Sequence, residues 1–370
     1  MSKKMKISVI GAGNGGKAMA AHLALLDFDV TLFNRTAEKV QVIAQLGGIQ
    51  LTSYEDGPKG FGPLRLVTSD IEAAIKGAKL IMVVVPSSAH HDIATALAPY
   101  LVDGQIIILH PGRTGGALEF RSVLTQNGCT NDVTIAEAET FIYASRSEGP
   151  AEARIFRIKN AVPLAALPAT RTQDVLDLIK DAYPEFIDGI NVLHTGLNNM
   201  GAIFHPALTL LNAGRIESTS GEFQFYIDGV TKSTANVLDV LDRERVTVAA
   251  AMGVRARTAM EWLDLAYNVQ GADLYEAIHN QTGYYGIKAP STLAHRYIFE
   301  DIPMSLVPIS AFAKRYGVSV RGMDAIIRLA CIIHHTDYWR RGRTLDKLGI
   351  RELSVSELTR FVNEGIHPRR

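Results

Sequence analysis

Lys6-Ile7-Ser8-Val9-Ile10-Gly11-Ala12-Gly13-Asn14-Gly15-Gly16-Lys17-Ala18-Met19-Ala20 is the stretch that decides the fold. Ile7, Val9 and Ile10 form a short β-branched run that reads as a buried strand. Ala18, Met19, His22 and Leu23 then repeat at three and four, as on a helix. Between them, Gly11 to Gly16 matches G-x-G-x-x-G. Gly11 permits the tight turn, Gly13 lets backbone N–H groups approach a pyrophosphate, and Gly16 lets helix and strand pack closely. The pattern alone is weak, and its bland competitor is a Gly-rich turn that binds nothing. Set between a strand and a helix, it predicts a dinucleotide site at Gly11, Gly13, Asn14, Gly15 and Gly16.

The same alternation continues outward. Asp29 to Phe33 reads as a second strand and residues 37–46 as a helix closed by Gly47-Gly48. Residues 49–68 carry two short apolar runs around Asp56-Gly57-Pro58-Lys59-Gly60, a hairpin-like insertion. Leu80 to Val85 is apolar on both faces, as in a central parallel strand, and Pro86 stops it. Helices over 71–76, 89–100 and 117–126 alternate with strands over 105–109 and 133–136. That order means a doubly wound parallel sheet, a Rossmann domain. Two strands within 154–167 and a helix over 172–182 are expected to extend the sheet. Beyond Asn191, helical periodicity dominates, over 195–212, 233–252, 258–266, 310–316 and 322–334. The expected organisation is therefore α/β: a Rossmann domain over 1–190, then an all-helical domain over 191–370.

Composition bounds the partners. The 370 residues carry 38 basic and 38 acidic side chains, which gives no reason to expect nucleic acid or a membrane surface. No stretch approaches the roughly 20 apolar residues of a membrane span. The run after Lys4 and Lys6 passes straight into a Gly turn, unlike a signal peptide. Cys129 and Cys331 lie far apart and fit a reducing cytosol, so a cytoplasmic location is expected. His90-His91 and His334-His335 lack Cys or carboxylate at ligand spacing, so no metal is expected. Arg340-Arg341-Gly342-Arg343 reads as a solvated turn. Trp262 and Trp339 read as core or interface aromatics.

An NAD-selective site ends its second strand in Asp or Glu, which accepts from the ribose 2′-OH. Here the position is Asn34, followed by Arg35 and, a turn later, Lys39. A carboxylate would repel a 2′-phosphate, whereas Asn, Arg and Lys would bind it. The cofactor expected is NADP, with NAD as the alternative. Val85 and Pro86, at the end of the central strand, complete the expected cofactor contacts.

The second half holds two pointed clusters. In Asn198-Asn199-Met200-Gly201-Ala202-Ile203-Phe204-His205-Pro206, a single helix would put Asn198, Ala202 and His205 on one face. Pro206 should bend it near His205. In His295-Arg296-Tyr297-Ile298-Phe299-Glu300-Asp301-Ile302-Pro303, Glu300-Asp301 could be a simple turn. Asp301 could equally hold the His205 imidazole in one tautomer, leaving Arg296 to pair with a substrate carboxylate. A lone histidine is more often structural than catalytic, and spacing does not show that the clusters meet.

The chain resembles the opine dehydrogenase family (octopine/nopaline dehydrogenase type). The similarity runs through Gly11–Gly16, Pro111-Gly112-Arg113-Thr114-Gly115-Gly116-Ala117-Leu118-Glu119-Phe120-Arg121, Val192-Leu193-His194-Thr195, His205-Pro206, Leu210-Leu211-Asn212-Ala213, Arg296 to Asp301 and Gly342 to Gly349. The resemblance implies NADPH-dependent reductive condensation of a pyruvate-like α-keto acid with an amino acid, through an imine. It puts the catalytic histidine on His205, its aspartate on Asp301 and the carboxylate-binding arginine on Arg296. It also puts a substrate-site glutamate in Glu137-Ala138-Glu139-Thr140, where the family shows Glu-Thr. Either glutamate fits, with spacing to Arg146 favouring Glu137. The partners implied are small molecules, with a homodimer left open. A ketopantoate-type or other β-hydroxyacid NADP dehydrogenase is the rival enzyme, but those use a helical Lys and none occurs between Thr195 and Asn212. A non-catalytic NADP-sensing regulator is the rival outside enzymes; it has no need of His205, Arg296 and Asp301.

Overall fold

β1, the strand that leads into the Gly loop, lies inside an eight-stranded sheet. The computed structural model describes residues 4–368. Its strands are β1 (Lys6–Ile10), β2 (Asp29–Phe33), β3 (Gly48–Ser53), β4 (Gly60–Pro63), β5 (Leu66–Thr68), β6 (Leu80–Val83), β7 (Ile106–Leu109), β8 (Thr134–Ala138), β9 (Tyr143–Gly149), β10 (Glu152–Ile158), β11 (Val162–Leu167) and β12 (Phe186–Asp188). The main sheet runs β12-β11-β8-β7-β6-β1-β2-β5. β6 (Leu-Ile-Met-Val) and β7 (Ile-Ile-Ile-Leu) are buried along their length, as strands covered on both faces must be. Helices α1 (Asn14–Leu25), α2 (Glu38–Leu46), α3 (Ile71–Ile75), α4 (His90–Leu97), α5 (Gly116–Gln126) and α6 (Thr172–Ile179) connect the strands. Every pairing in this sheet is parallel except β8 with β11. The chain runs from β1 out to β2 and β5, then returns to β6 on the other side of β1. That reversal is the switch point, outside whose carboxyl ends ligands bind.

A second sheet, β4-β3-β10-β9, is the main departure from the sequence reading. The hairpins β3/β4 and β9/β10 join through a parallel pairing of β3 with β10. Residues 154–167 therefore split: β11 extends the main sheet and β10 belongs to the second one. This sheet packs on α1, where a Cβ on Gly62 would fall 2.6 Å from the Ala21 carbonyl oxygen. Lys17 of α1 is consequently buried, its ammonium donating to Ser147 Oγ at 2.8 Å and to the Gly149 carbonyl at 2.9 Å. Burial holds its pKa below the usual lysine value.

The two compact units are Met1–Thr195 with Ser356–Arg370, and Gly196–Val355. The division lies at 195/196 rather than 190/191, and the last helix returns to the first unit, where Asn191 Nδ2 donates to Asn363 Oδ1 at 2.8 Å. Helical periodicity continues through that return, so nothing local marks it. The helices after α6 are α7 (Val192–Leu197), α8 (Gly201–Leu211), α9 (Ala213–Thr219), α10 (Lys232–Ala251), α11 (Ala259–Tyr267), α12 (Leu274–Asn280), α13 (Arg296–Phe299), α14 (Val307–Tyr316), α15 (Arg321–Ile333), α16 (Tyr338–Arg341) and α17 (Val355–Glu364). The single helix expected over 195–212 is broken at Asn198-Asn199-Met200. Asn198 Oδ1 accepts from the Arg257 N–H (2.9 Å), and Asn199 Nδ2 donates to Ser305 Oγ (2.8 Å). The amide side chains satisfy distant groups instead of facing out from one helix. Asn198 therefore does not share a helix face with His205. Among the described residues, no helix is long and apolar enough to cross a membrane.

Candidate active site

The Gly loop has the geometry a dinucleotide requires. Gly11 has φ +114°, and a Cβ there would lie 2.4 Å from the Val84 carbonyl oxygen. A Cβ on Gly16 would lie 1.7 Å from the Gly11 carbonyl oxygen, so only glycine lets α1 start this close to β1. Around Gly13, by contrast, there is open space. Gly13 is the extended N-cap of α1 and supplies no side-chain cap, as suits a helix N-terminus that receives an anion. Gly15 lies under the Phe141 ring. Asn14 Oδ1 accepts from the Ser147 N–H at 3.0 Å and so ties the loop to β9.

At the end of β2, Asn34 Oδ1 faces the Ala12 N–H at 3.3 Å while Nδ2 donates to the Thr36 carbonyl at 3.0 Å. Asn34 thus braces the Gly loop against its own turn. Arg35 and Lys39 are exposed beside it. Arg35 makes one surface contact, 3.6 Å from Asp92, an ion pair weak enough to give way to a phosphate. Val85 Cγ1 would be 2.8 Å from a Cβ on Gly11, and the exposed Pro86 follows it.

In the second unit the two pointed clusters meet. His205 Nδ1 lies 2.8 Å from Asp301 Oδ2. The Asp301 side chain is fully buried, whereas 17% of the His205 side chain is exposed. A carboxylate accepts but does not donate, so Nδ1 carries the proton and the lone pair of the neutral ring lies on Nε2. Thr209 Oγ1 donates to the His205 carbonyl at 2.7 Å, a local bond on the Pro206-bearing turn of α8. Asp301 opens a buried π-helical turn, Ile302–Leu306.

The ring is also held by its faces. Tyr297 stacks on His205 with centroids 4.1 Å apart and planes 19° apart, and Phe225 stacks on Tyr297 at 5.2 Å. His295 meets Tyr297 edge-on at 4.4 Å. Burial lowers the His295 pKa, and the charges of Arg296 and His205 lower it further, while Asp301 opposes them. Arg296, exposed at the start of α13, places its guanidinium 5.6 Å from the centroid of the Tyr297 ring. His205 and Arg296 thus both meet one tyrosine, and Asp301 holds the imidazole. No spacing rule pointed to Tyr297, although it sits between two residues already singled out.

Glu137 lies in the first unit and is fully buried on β8. Its Oε2 accepts from the Ala117 N–H of α5 and its Oε1 from Thr195 Oγ1, each at 2.7 Å. Glu139, also buried, follows the strand, its N–H donating to the Pro163 carbonyl at 2.8 Å. Arg343 corrects the reading of a solvated turn: Arg340 and Arg341 are exposed, but Arg343 is fully buried and its N–H donates to the Pro303 carbonyl at 3.0 Å, bracing the π-helical turn after Asp301.

Residues 189–334 match the family described as NAD/NADP octopine/nopaline dehydrogenase, alpha-helical domain. Residues 6–113 match the NAD binding domain of 6-phosphogluconate dehydrogenase. The chain is 38% identical to the opine dehydrogenase of Arthrobacter sp. (strain 1C), over 96% of this chain and 98% of that one. Its fold is similar to octopine dehydrogenase solved with NADH and L-arginine (TM-score 0.82, 22% identity, 96% and 98% of the two chains). It is also similar to NADP+-bound yersinopine dehydrogenase (TM-score 0.78, 15% identity, 95% and 99%).

Proposed function

Because this chain belongs to the opine dehydrogenase family, we propose that it reduces the imine formed between an α-keto acid such as pyruvate and the amino group of an amino acid. The product is a secondary amine with two carboxylates. The chain is an NAD(P)-dependent oxidoreductase acting on CH–NH bonds. The observation that carries the reading is the His205–Asp301 pair with Arg296 beside it. A bound nicotinamide dinucleotide supplies the hydride. His205 Nε2 gives a proton in the reductive direction and takes it back in the oxidative one. Asp301 fixes the tautomer and stabilises the imidazolium. Arg296 pairs with one substrate carboxylate and so orients the imine carbon.

The test supplies keto acids and amino acids separately and together, with NADPH absorbance and product mass as readouts. Cofactor oxidation that needs both substrates and yields the secondary amine is the expected result. Oxidation with the keto acid alone, giving a hydroxy acid, would favour the ketopantoate-type reading, and none at all the regulator.

NADPH is the cofactor we expect the site to prefer, through Arg35, Lys39 and Asn34. The wild type should show the higher kcat/KM with NADPH. Replacing Arg35 with glutamate should cut that value about tenfold or more, since one charge-assisted bond to phosphate is lost and a like charge gained. A wild type that works better with NADH would refute the preference.

A further inference from the structure

The proposed reaction, on which this inference rests, gives tasks to Arg296 and Asp301 but none to His295, the residue before Arg296. His295 is the N-cap of α13, where its Nδ1 accepts from the Tyr297 N–H at 3.4 Å. A backbone N–H only donates, so in the neutral ring Nδ1 holds the lone pair and Nε2 carries the proton. Among the described residues, that Nε2–H has no acceptor. The Arg296 guanidinium, 5.6 Å from the centroid of the Tyr297 ring, likewise has no hydrogen-bond or ion-pair partner there. Both residues meet the ring on which His205 stacks, His295 edge-on with centroids 4.4 Å apart. Two donors without acceptors thus stand at one tyrosine.

A cap alone does not call for a histidine. Ser, Thr, Asp and Asn cap best, because their short side chains accept from the first N–H groups of the helix. A histidine adds to that acceptor a donor on the opposite side of the ring. We propose that His295 is a substrate-binding residue, its Nε2–H donating to the same carboxylate that Arg296 pairs with. Arg296 brings charge on an exposed side chain, and His295 adds a donor whose position the cap fixes. The ring suits this work as a neutral group: burial, then the charges of Arg296 and His205, lower its pKa, with Asp301 opposing. It therefore does not compete for the proton that His205 transfers.

Asparagine reproduces the Nδ1 acceptor and glutamine the reach of Nε2, so two substitutions separate the cap from the donor. His295→Asn should keep the Tm of the wild type but raise KM for one substrate, keto acid or amino acid, by about tenfold or more. The kcat at saturation should change far less, since the lost bond is one to the bound substrate. Which KM rises identifies the carboxylate held. His295→Gln, outside the usual cap set, should lower Tm yet hold that KM within about threefold. An unchanged KM in His295→Asn would leave the residue a cap only. A fall in kcat without a rise in KM would make it a support for Tyr297 and His205. Either result overturns the proposal. Calorimetric titration of the NADPH-loaded protein with iminodiacetate, a secondary amine with two carboxylates, needs no turnover and so separates this inference from the reaction itself. Weaker binding in His295→Asn than in the wild type supports the site; equal binding, or none by the wild type, refutes it.

Discussion

Replacing His205 with alanine should lower kcat by about 10²–10⁴, the usual worth of a positioned general acid/base, while the NADPH Kd stays within about twofold. The expectation follows from geometry. Asp301 accepts from Nδ1 at 2.8 Å, so the proposed proton transfer runs through Nε2. Nothing from Thr195 to Asn212 could replace it, since that segment has no lysine, and its other polar side chains are amides, Thr195, whose hydroxyl donates to Glu137, and Thr209, whose hydroxyl is spent on the His205 carbonyl. The loss should appear in both reaction directions, because the group that donates in reduction accepts in oxidation. Turnover within about threefold of wild type would remove His205 from the acid/base role, since such a role is worth at least ~10². Cofactor affinity is the control. The Gly loop belongs to the first unit and His205 to the second, so a collapse in NADPH binding would report misfolding rather than lost chemistry.

Asp301→Asn is the second large effect, expected to cost kcat about two to four orders of magnitude. The substitution preserves shape in a fully buried position, so packing should hold. It removes the only feature of an aspartate that an asparagine lacks, a negative charge that stabilises the imidazolium. It also adds an N–H₂ that can donate to Nδ1, which would move the ring proton to Nε2 and leave no lone pair there for the oxidative direction. Nitrogen NMR of labelled histidine would read that tautomer directly. A variant with wild-type kcat and an unaltered His205 tautomer would reduce Asp301 to a packing residue.

The sequence made some of this legible and concealed the rest for identifiable reasons. The Gly loop was readable because all its constraints are local: Gly11 needs a positive φ, and Gly16 needs no Cβ against the turn five residues before it. The main sheet was readable because β6 and β7 are unbroken apolar runs between turn residues. Pairing across long gaps left no such trace. His205 and Asp301 are 96 residues apart; their pairing was an open possibility in the residues, and the family resemblance gave it weight. β3 finds β10 about a hundred residues away, so the hairpin signal was visible while its destination was not. The break at Asn198-Asn199-Met200 was hidden because the bonds that favour it go to Arg257 and Ser305. Arg343 looked solvated because charge runs usually are; in the structure it is fully buried, with its N–H bonded to the Pro303 carbonyl of the turn that follows Asp301.

The slab of Phe225, Tyr297 and the imidazole reaches beyond orientation. A ring stacked on its face and tethered at one nitrogen is held against swivelling. In the proposed reaction it therefore takes up each fresh proton in the same orientation in which it gives one away.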